Sequence, residues 1–286
     1  MRLRLRRLCS LGDVRPMTSS LEAEAARLRL PPGFQIKAFD SVGSTNDEAK
    51  ALSRSGAPEG TVVWARRQES GRGRRGRAWT SPEGNLYSTT ILRPGLPPAE
   101  AAQVSFVAAL AIAETAESVL PDPGGVRCKW PNDVLVHDRK LSGILLESEP
   151  APDGKVAWVV LGVGINLRHF PPTADYGATS LIAEGAPPMG PGALLEVYAE
   201  HLAAWYGRWR AHGFGPVRDA WMSRAKGLGG PILVRLADRT IPGTFADLDS
   251  DGVLLLDPTD GGPRQRIAAG DVFFAPPPAD PRSPDS

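Results

Sequence analysis

Arginines and glycines alternate in one short stretch of this chain, Gln68-Glu69-Ser70-Gly71-Arg72-Gly73-Arg74-Arg75-Gly76-Arg77-Ala78-Trp79. Guanidinium groups grip phosphate oxygens through paired donors and stay charged at any physiological pH. Glycines at 71, 73 and 76 let the backbone come close to a ligand. Trp79 ends the run with a flat face on which a purine could stack. Taken alone, the stretch also reads as a solvated Arg–Gly segment that binds RNA loosely. Its position between two strands, inside a compact domain, argues against that. It is not a Walker A loop, because no GxxxxGK[ST] occurs, and no convincing helix follows it as a Rossmann turn requires.

Two further segments carry polar groups in suggestive places. The first is Lys129-Trp130-Pro131-Asn132-Asp133, followed by Arg139-Lys140-Leu141-Ser142-Gly143. Pro131 ends a strand, Asn132-Asp133 turn the chain, and Lys140 starts the next strand, where a rigid sheet can aim it. A lysine at a strand start is by itself more often just solvated. The second segment is Leu161-Gly162-Val163-Gly164-Ile165-Asn166. Two glycines in an apolar strand signal close approach of another backbone or a ligand. Asn166 offers a donor and an acceptor, or simply terminates the strand. Ser44-Thr45-Asn46 open a helix, and Thr45 and Glu48 have capping-box spacing. The four histidines show no ligand spacing, so no zinc site is expected.

The elements that must position these residues follow from periodicity and turn signals. A short helix is expected over Leu21–Leu30 and a strand over Gln35–Phe39. A helix then opens at residues 44–48. Strands are expected at Thr61–Arg67 and Leu86–Leu92, and a long Ala-rich helix over Pro98–Leu120. A meander follows: Val126–Trp130, Val134–Val136, Leu141–Glu147 and Val156–Val163. His137-Asp138-Arg139 and Asp153-Gly154 supply two of its turns. Helices are expected at Leu194–His212 and Val217–Ala225. After Gly227-Leu228-Gly229-Gly230, four short strands (Ile232–Leu236, Thr240–Asp247, Val253–Leu256, Arg264–Ala268) suggest a small β barrel. The fold class is therefore α+β, with a mixed, largely antiparallel sheet flanked by helices. Domain boundaries are expected at 1–33 (tail and short helix), 34–228 (main domain), 229–275 (barrel) and 276–286 (disordered tail).

Bulk properties agree with a globular chain. Of its 286 residues, 42% are hydrophobic and 23% charged, and the net charge of +1 does not argue for nucleic acid. The two cysteines, Cys9 and Cys128, do not suggest a disulfide framework, which fits a cytoplasmic location. No membrane span or secretory signal is expected. The basic stretch before Met17 reads as a solvated tail or an upstream start.

Taken together, GSTN at 43–46, ESGRGRRGRAW at 69–79, KWPND at 129–133, RKLSGILLE at 139–147, LGVGIN at 161–166 and ATSL at 178–181 resemble, in order and spacing, the motifs of biotin–protein ligases. The resemblance runs from about Phe34 to Phe274. It implies a class II synthetase-like biotin–lipoate ligase fold with an SH3-like C-terminal barrel. It also implies the monofunctional class, since about 33 residues before Phe34 are too few for a DNA-binding domain. No specific DNA partner is expected, and a homodimer is left open.

The implied reaction joins biotin to ATP as biotinyl-5′-AMP, then passes biotin to a lysine of a biotin carboxyl carrier protein. By resemblance, Lys140 and Arg74 are catalytic, at the junction of carboxylate and α-phosphate. Arg75 and Arg77 hold outer phosphates, Trp79 stacks on adenine, and Asn132 and Asn166 lie near the nucleotide. Asp133 is the candidate for placing Mg²⁺. Biotin is expected against Ser44, Thr45, Asn46, Gln68, Gly71, Arg72, Gly73 and Gly143, together with Arg74 and Lys140. The rivals are a lipoate–protein ligase, which shares fold and chemistry, and a nucleic-acid-binding protein that uses the Arg–Gly loop.

Overall fold

The structure is a computed structural model that describes residues 20–172 and 177–274. The expected unstructured tails fall outside these residues, apart from Ser20, which begins a helix.

Chain order gives α1 (Ser20–Ala25), β1 (Gln35–Val42), α2 (Thr45–Arg54), β2 (Thr61–Gln68), β3 (Leu86–Leu92), α3 (Pro98–Ala101) and α4 (Val104–Val119). The meander follows as β4 (Val126–Lys129), β5 (Asp133–Val136), β6 (Arg139–Pro150) and β7 (Val156–Ile165). Then come α5 (Pro191–His212), α6 (Gly215–Ser223), β8 (Pro231–Arg235), β9 (Thr240–Leu248), β10 (Leu254–Pro258), β11 (Gln265–Ile267) and β12 (Asp271–Phe274). Seven strands form one sheet in the order β1-β2-β3-β7-β6-β5-β4, and five form a second in the order β11-β10-β9-β8-β12. Among the strands of the described residues only β1 and β2 pair in parallel, so the large sheet is mixed and mainly antiparallel, as its pattern predicts.

Alternation along the strands assigns the two faces of the large sheet. In β7, Val159, Leu161, Val163 and Ile165 join the main core under α4 and α5. Their neighbours Trp158 and Val160 join a second cluster with Ala49 of α2, Val63 and Ile91. The period of two then places Gly162 and Gly164 on this second face, in line with Trp158 and Val160. The site lies on that face.

Residue 140 needs a register change to reach it. Residues 144 and 146 of β6 pack on the main core, so even positions face away from the site. The β5–β6 register shifts between Val134 and Leu135, pairing Val134 with Ser142 but Leu135 with Lys140. One extra residue in β6 reverses the alternation, as a β-bulge does. Lys140 thereby shares a face with Gly143 and Leu145.

Residues 98–119 are long and apolar enough to cross a membrane, yet 72% of their most apolar window is buried within the protein. They form a core layer, broken at Ala102-Gln103 where one helix was expected. The main core is continuous across both sheets, with Val134 and Leu161 in one cluster with Ile232, Val234 and Phe245. Trp130 Nε1 also donates to the Gly252 carbonyl at 3.2 Å. The small sheet is thus packed firmly against the large one.

Four further expectations need correction. Helix α1 is six residues long and ends well before Leu30. The Thr45–Glu48 capping box does not form, because Ser44 is the N-cap and Thr45 already belongs to the helix. The loop at 68–79 is not wholly irregular: Arg72 and Ala78 form a β-bridge around a 3₁₀ turn at Arg74–Gly76. The C-terminal sheet has five strands, and the unexpected one is β12.

Candidate functional site

A cavity of about 410 Å³ lies over the glycine-bearing face of the sheet. Its walls are the start of α2, the Arg–Gly loop, the β4–β5 turn, the start of β6 and β12. Of the residues singled out from sequence, Ser44, Thr45, Asn46, Gln68, Arg72, Gly73, Arg74, Arg77, Trp79, Asn132, Asp133, Lys140, Gly143 and Asn166 line it. Gly71 and Arg75 do not. Gly71 serves the loop itself, because a Cβ there would lie 2.5 Å from both Ser81 Oγ and the Trp79 carbonyl.

The floor is built from missing side chains. Gly143 and Gly164 face each other across β6 and β7. The Trp79 indole lies on this pair: a Cβ on Gly164 would come within 2.6 Å of its Nε1. Gly162 leaves room for Asn46 in the same way, where a Cβ would meet Asn46 Oδ1 at 2.1 Å. The glycines therefore receive side chains of this chain as well as bordering the cavity.

Polar groups at the α2 end hold one another in fixed rotamers. Gln68 Oε1 accepts from the Thr45 amide at 2.9 Å and from its hydroxyl at 3.1 Å, and Gln68 Nε2 donates to Ser81 at 3.0 Å. Asn46 Nδ2 donates to Glu147 Oε2 at 2.8 Å, while Asn46 Oδ1 accepts from Thr89 at 2.7 Å. The Ser44 hydroxyl makes no capping bond, and its side chain lines the cavity. Arg72 anchors the base of the loop with two 2.7 Å bonds to Asp47 and a 3.1 Å bond to Glu147.

At the opposite end, cations crowd together. Lys140 Nζ is 2.6 Å from Asp133 Oδ1, and Lys129 Nζ is 4.0 Å from Asp133 Oδ2. Lys129 and Asp133 are cross-strand partners in the β4–β5 hairpin, so one turn positions both. Burial, with Asp133 opposing, pulls the Lys129 ammonium down to about 8. Arg74 donates to Asn132 Oδ1 at 3.3 Å and to the Gly270 carbonyl at 3.2 Å. Asn132 is itself fixed by donating to the Ile144 carbonyl at 2.8 Å. Burial lowers the Arg74 guanidinium from its usual range, and Asp271 counters this. Arg75 and Arg77 both reach Asp271, Arg75 at 3.2 Å. Arg75 has φ 54°, a left-handed conformation that turns it toward that carboxylate. Asn166 braces the floor: its Nδ2 donates to the Thr179 carbonyl at 3.0 Å.

Sequence reasoning assigned no role to Lys129, Asp271, Thr89 or Glu147, although Lys129 and Glu147 stand within two of its motifs. Lys129 was within reach, because it lies one hairpin turn from Asp133. Asp271 had no local signal.

Residues 38–166 match the biotin/lipoate A/B protein ligase family, and residues 227–275 match the biotin protein ligase C-terminal domain. The biotin–[acetyl-CoA-carboxylase] ligase of Paracoccus denitrificans is 40% identical over 236 residues, spanning 81% of this chain and 97% of that protein. This chain belongs to the biotin/lipoate protein ligase family. Solved structures agree with the ligase fold. Biotin protein ligase from Aquifex aeolicus in complex with biotin and ATP is similar with a TM-score of 0.69 and 26% identity, covering 83% of this chain and 97% of that one. The Leishmania major biotin protein ligase in complex with biotinyl-5-AMP gives a TM-score of 0.59 and 28% identity, covering 84% of this chain and 100% of that one.

The Arg72–Asp47 pair of this ligase makes a pH-dependent prediction. The Arg72 guanidinium is the largest influence holding the Asp47 carboxyl down at about 2. A depressed acid stabilises the fold above its unfolded value and loses that contribution as pH falls through its folded value. The Asp47 side chain is 54% exposed, so solvent screening limits the pair to roughly 0.5–1 kcal/mol. Asp47→Asn should lower stability by about that much at pH 7. Urea unfolding should show the difference fading between about pH 4 and pH 2.

Proposed function

We propose that this ligase activates biotin with ATP to biotinyl-5′-AMP and pyrophosphate, then transfers biotin to a lysine of a biotin carboxyl carrier protein. One observation carries the reading. A single cavity joins a glycine-floored slot, edged by Ser44, Thr45 and Gln68, to a cluster containing Lys140, Lys129, Arg74 and Arg77. A mostly apolar acid with a polar ring suits the first part, and a triphosphate suits the second.

In the first step a biotin carboxylate oxygen bonds to the α-phosphorus, and the bond from that phosphorus to the bridging oxygen of the β-phosphate breaks. Two anions must meet, so the barrier is electrostatic. Lys140 is the cation placed to face both, and Asp133 fixes its ammonium. Arg74, steadied by Asn132, approaches the same junction. Arg77 and Lys129 offer charge to the departing pyrophosphate. In the second step the carrier's ε-amine attacks the anhydride carbonyl and AMP leaves, the amine's proton passing to solvent.

Trp79 keeps one face on Gly143 and Gly164, and its other face is the surface proposed for the purine. Asn166 holds the adjacent wall. Among the described residues no three His, Cys, Asp or Glu side chains gather as a metal group. Mg²⁺ commonly takes one or two carboxylates together with phosphate oxygens and water, and Asp133 can serve as that carboxylate. Bound there, Mg²⁺ would offset phosphate charge. A cytoplasmic location, where ATP and newly made carrier meet, completes the reading.

The direct test incubates the protein with biotin, MgATP and an apo carrier domain. The carrier mass should rise by one biotin; a carrier that gains nothing, or that gains a lipoyl group in a parallel incubation with lipoate in place of biotin, overturns the proposal. Lys140→Ala should cut biotin-dependent ATP–pyrophosphate exchange by about 10²–10³ while biotin binding changes far less. Lys129 supplies a pH signature. Its charge is lost as pH rises through about 8, so the KM for MgATP should climb between about pH 7.5 and 9. In Lys129→Arg, whose charge persists, that climb should flatten.

A further inference from the structure

The small sheet sends one acidic side chain into the arginine cluster. Asp271 opens β12, immediately after Gly270, and its side chain is 16% exposed. Arg75 and Arg77 both contact its Oδ2, Arg74 Nη1 is 3.9 Å from its Oδ1, and the Gly270 carbonyl accepts from Arg74. The loop lies some two hundred residues earlier in the chain, so these contacts are purely tertiary. β12 is held by backbone pairing with β8, where Asp271 is opposite Arg235 and Val272 opposite Val234. Val272 is buried in the core that runs through both sheets. The carboxylate therefore stands on a rigid strand, while its partners stand on a turn containing Gly73 and Gly76.

Like charges repel, so three guanidiniums gathered on one short turn are steadied by an anion among them. Asp271 is that anion, and it uses the same donors that phosphate oxygens require. We infer that Asp271 is a positioning residue for adenylation. It gathers Arg74 and Arg77 at the cavity, with Arg75 beside them, and yields them to the phosphates as these arrive. The inference rests on the reading of the loop as a phosphate site.

The sign of the effect follows from linkage. An interaction present before binding and relinquished on binding weakens affinity by its own strength. Removing the Asp271 charge destabilises only the first state, however mobile the loop then becomes. It also removes a negative charge from beside the phosphates. Both effects tighten phosphate binding. A residue that merely supports the wall would act in the opposite direction when altered.

The loop carries its own reporter, since trypsin cleaves after Arg72, Arg74, Arg75 and Arg77. Limited trypsin digestion of the full chain, with inorganic pyrophosphate as the added anion, reads both states. Without pyrophosphate, Asp271→Asn should be nicked in the loop at least about threefold faster than wild type. The pyrophosphate concentration giving half-protection should fall by about three- to tenfold, as expected for a few partly exposed ion pairs. Asp271→Glu keeps the charge and should stay within about twofold of wild type on both measures. Melting curves by circular dichroism should show all three proteins folded. A wild type protected by pyrophosphate, beside an Asn variant whose half-protection is unchanged or higher, overturns the role of Asp271 alone. A wild-type loop that pyrophosphate does not protect overturns the phosphate reading, and this inference with it.

Discussion

Charge crowding governs this site. Lys129, Lys140, Arg74 and Arg77 are brought to one end of one cavity, with Arg75 just outside it, and two carboxylates, Asp133 and Asp271, stand among them. Each acid comes from a different sheet. Asp133 sits at the first position of β5, within the large sheet, and steadies the two lysines. Asp271 sits at the first position of β12, within the small sheet, and steadies the arginines. A cluster of this kind is costly to assemble in low dielectric, and the rigid strands on both sides are what make it tolerable. The continuous core beneath the two sheets keeps the carboxylates in place relative to one another.

The other end of the cavity depends on size more than charge. Gly162 and Gly164 occupy positions on the site face where β7 elsewhere carries Trp158 and Val160, and Gly143 lies opposite Gly164 on β6. Trp79 and Asn46 then settle against backbone instead of side chains. Asn46 is further constrained by Glu147 and Thr89, and Glu147 also takes Arg72. The start of α2, the floor of the sheet and the base of the loop thus share one set of hydrogen bonds. That leaves the Arg–Gly loop tied at its base by Arg72 and at its tip by Arg75 and Arg77.

Much of this was legible before any coordinates. The β3 boundaries, the meander and the change of composition after Gly227 follow from local pattern, whereas the pairing of Lys140 with the Arg–Gly loop came from the resemblance of the ordered motifs. What escaped has identifiable causes. Thr45 and Glu48 have the spacing of a capping box, but the Thr45 hydroxyl finds Gln68 and Thr89 in the folded protein, a tertiary contact that outcompetes a local one. Helix α1 was overextended because charged, helix-favouring residues continue past its packed end. β12 is four residues long and abuts a proline run, so its pattern is too brief to register. With that strand unrecognised, Asp271 could not be placed opposite residues nearly two hundred positions away.

The bulge in β6 has a consequence of another kind. In a regular strand, the side on which a residue emerges is decided by counting: odd positions go one way and even positions the other. The extra residue between the partners of Val134 and Leu135 changes the count by one, so the placement of Lys140 is a matter of parity. The sheet's hydrogen bonds and its apolar filling say nothing about that parity on the far side of the irregularity. A hairpin of the same composition and stability, built without the irregularity, would direct the ammonium toward the hydrocarbon interior and leave the cavity without this lysine. Arithmetic along the backbone, as much as the identity of the side chain, determines whether this lysine reaches the cavity.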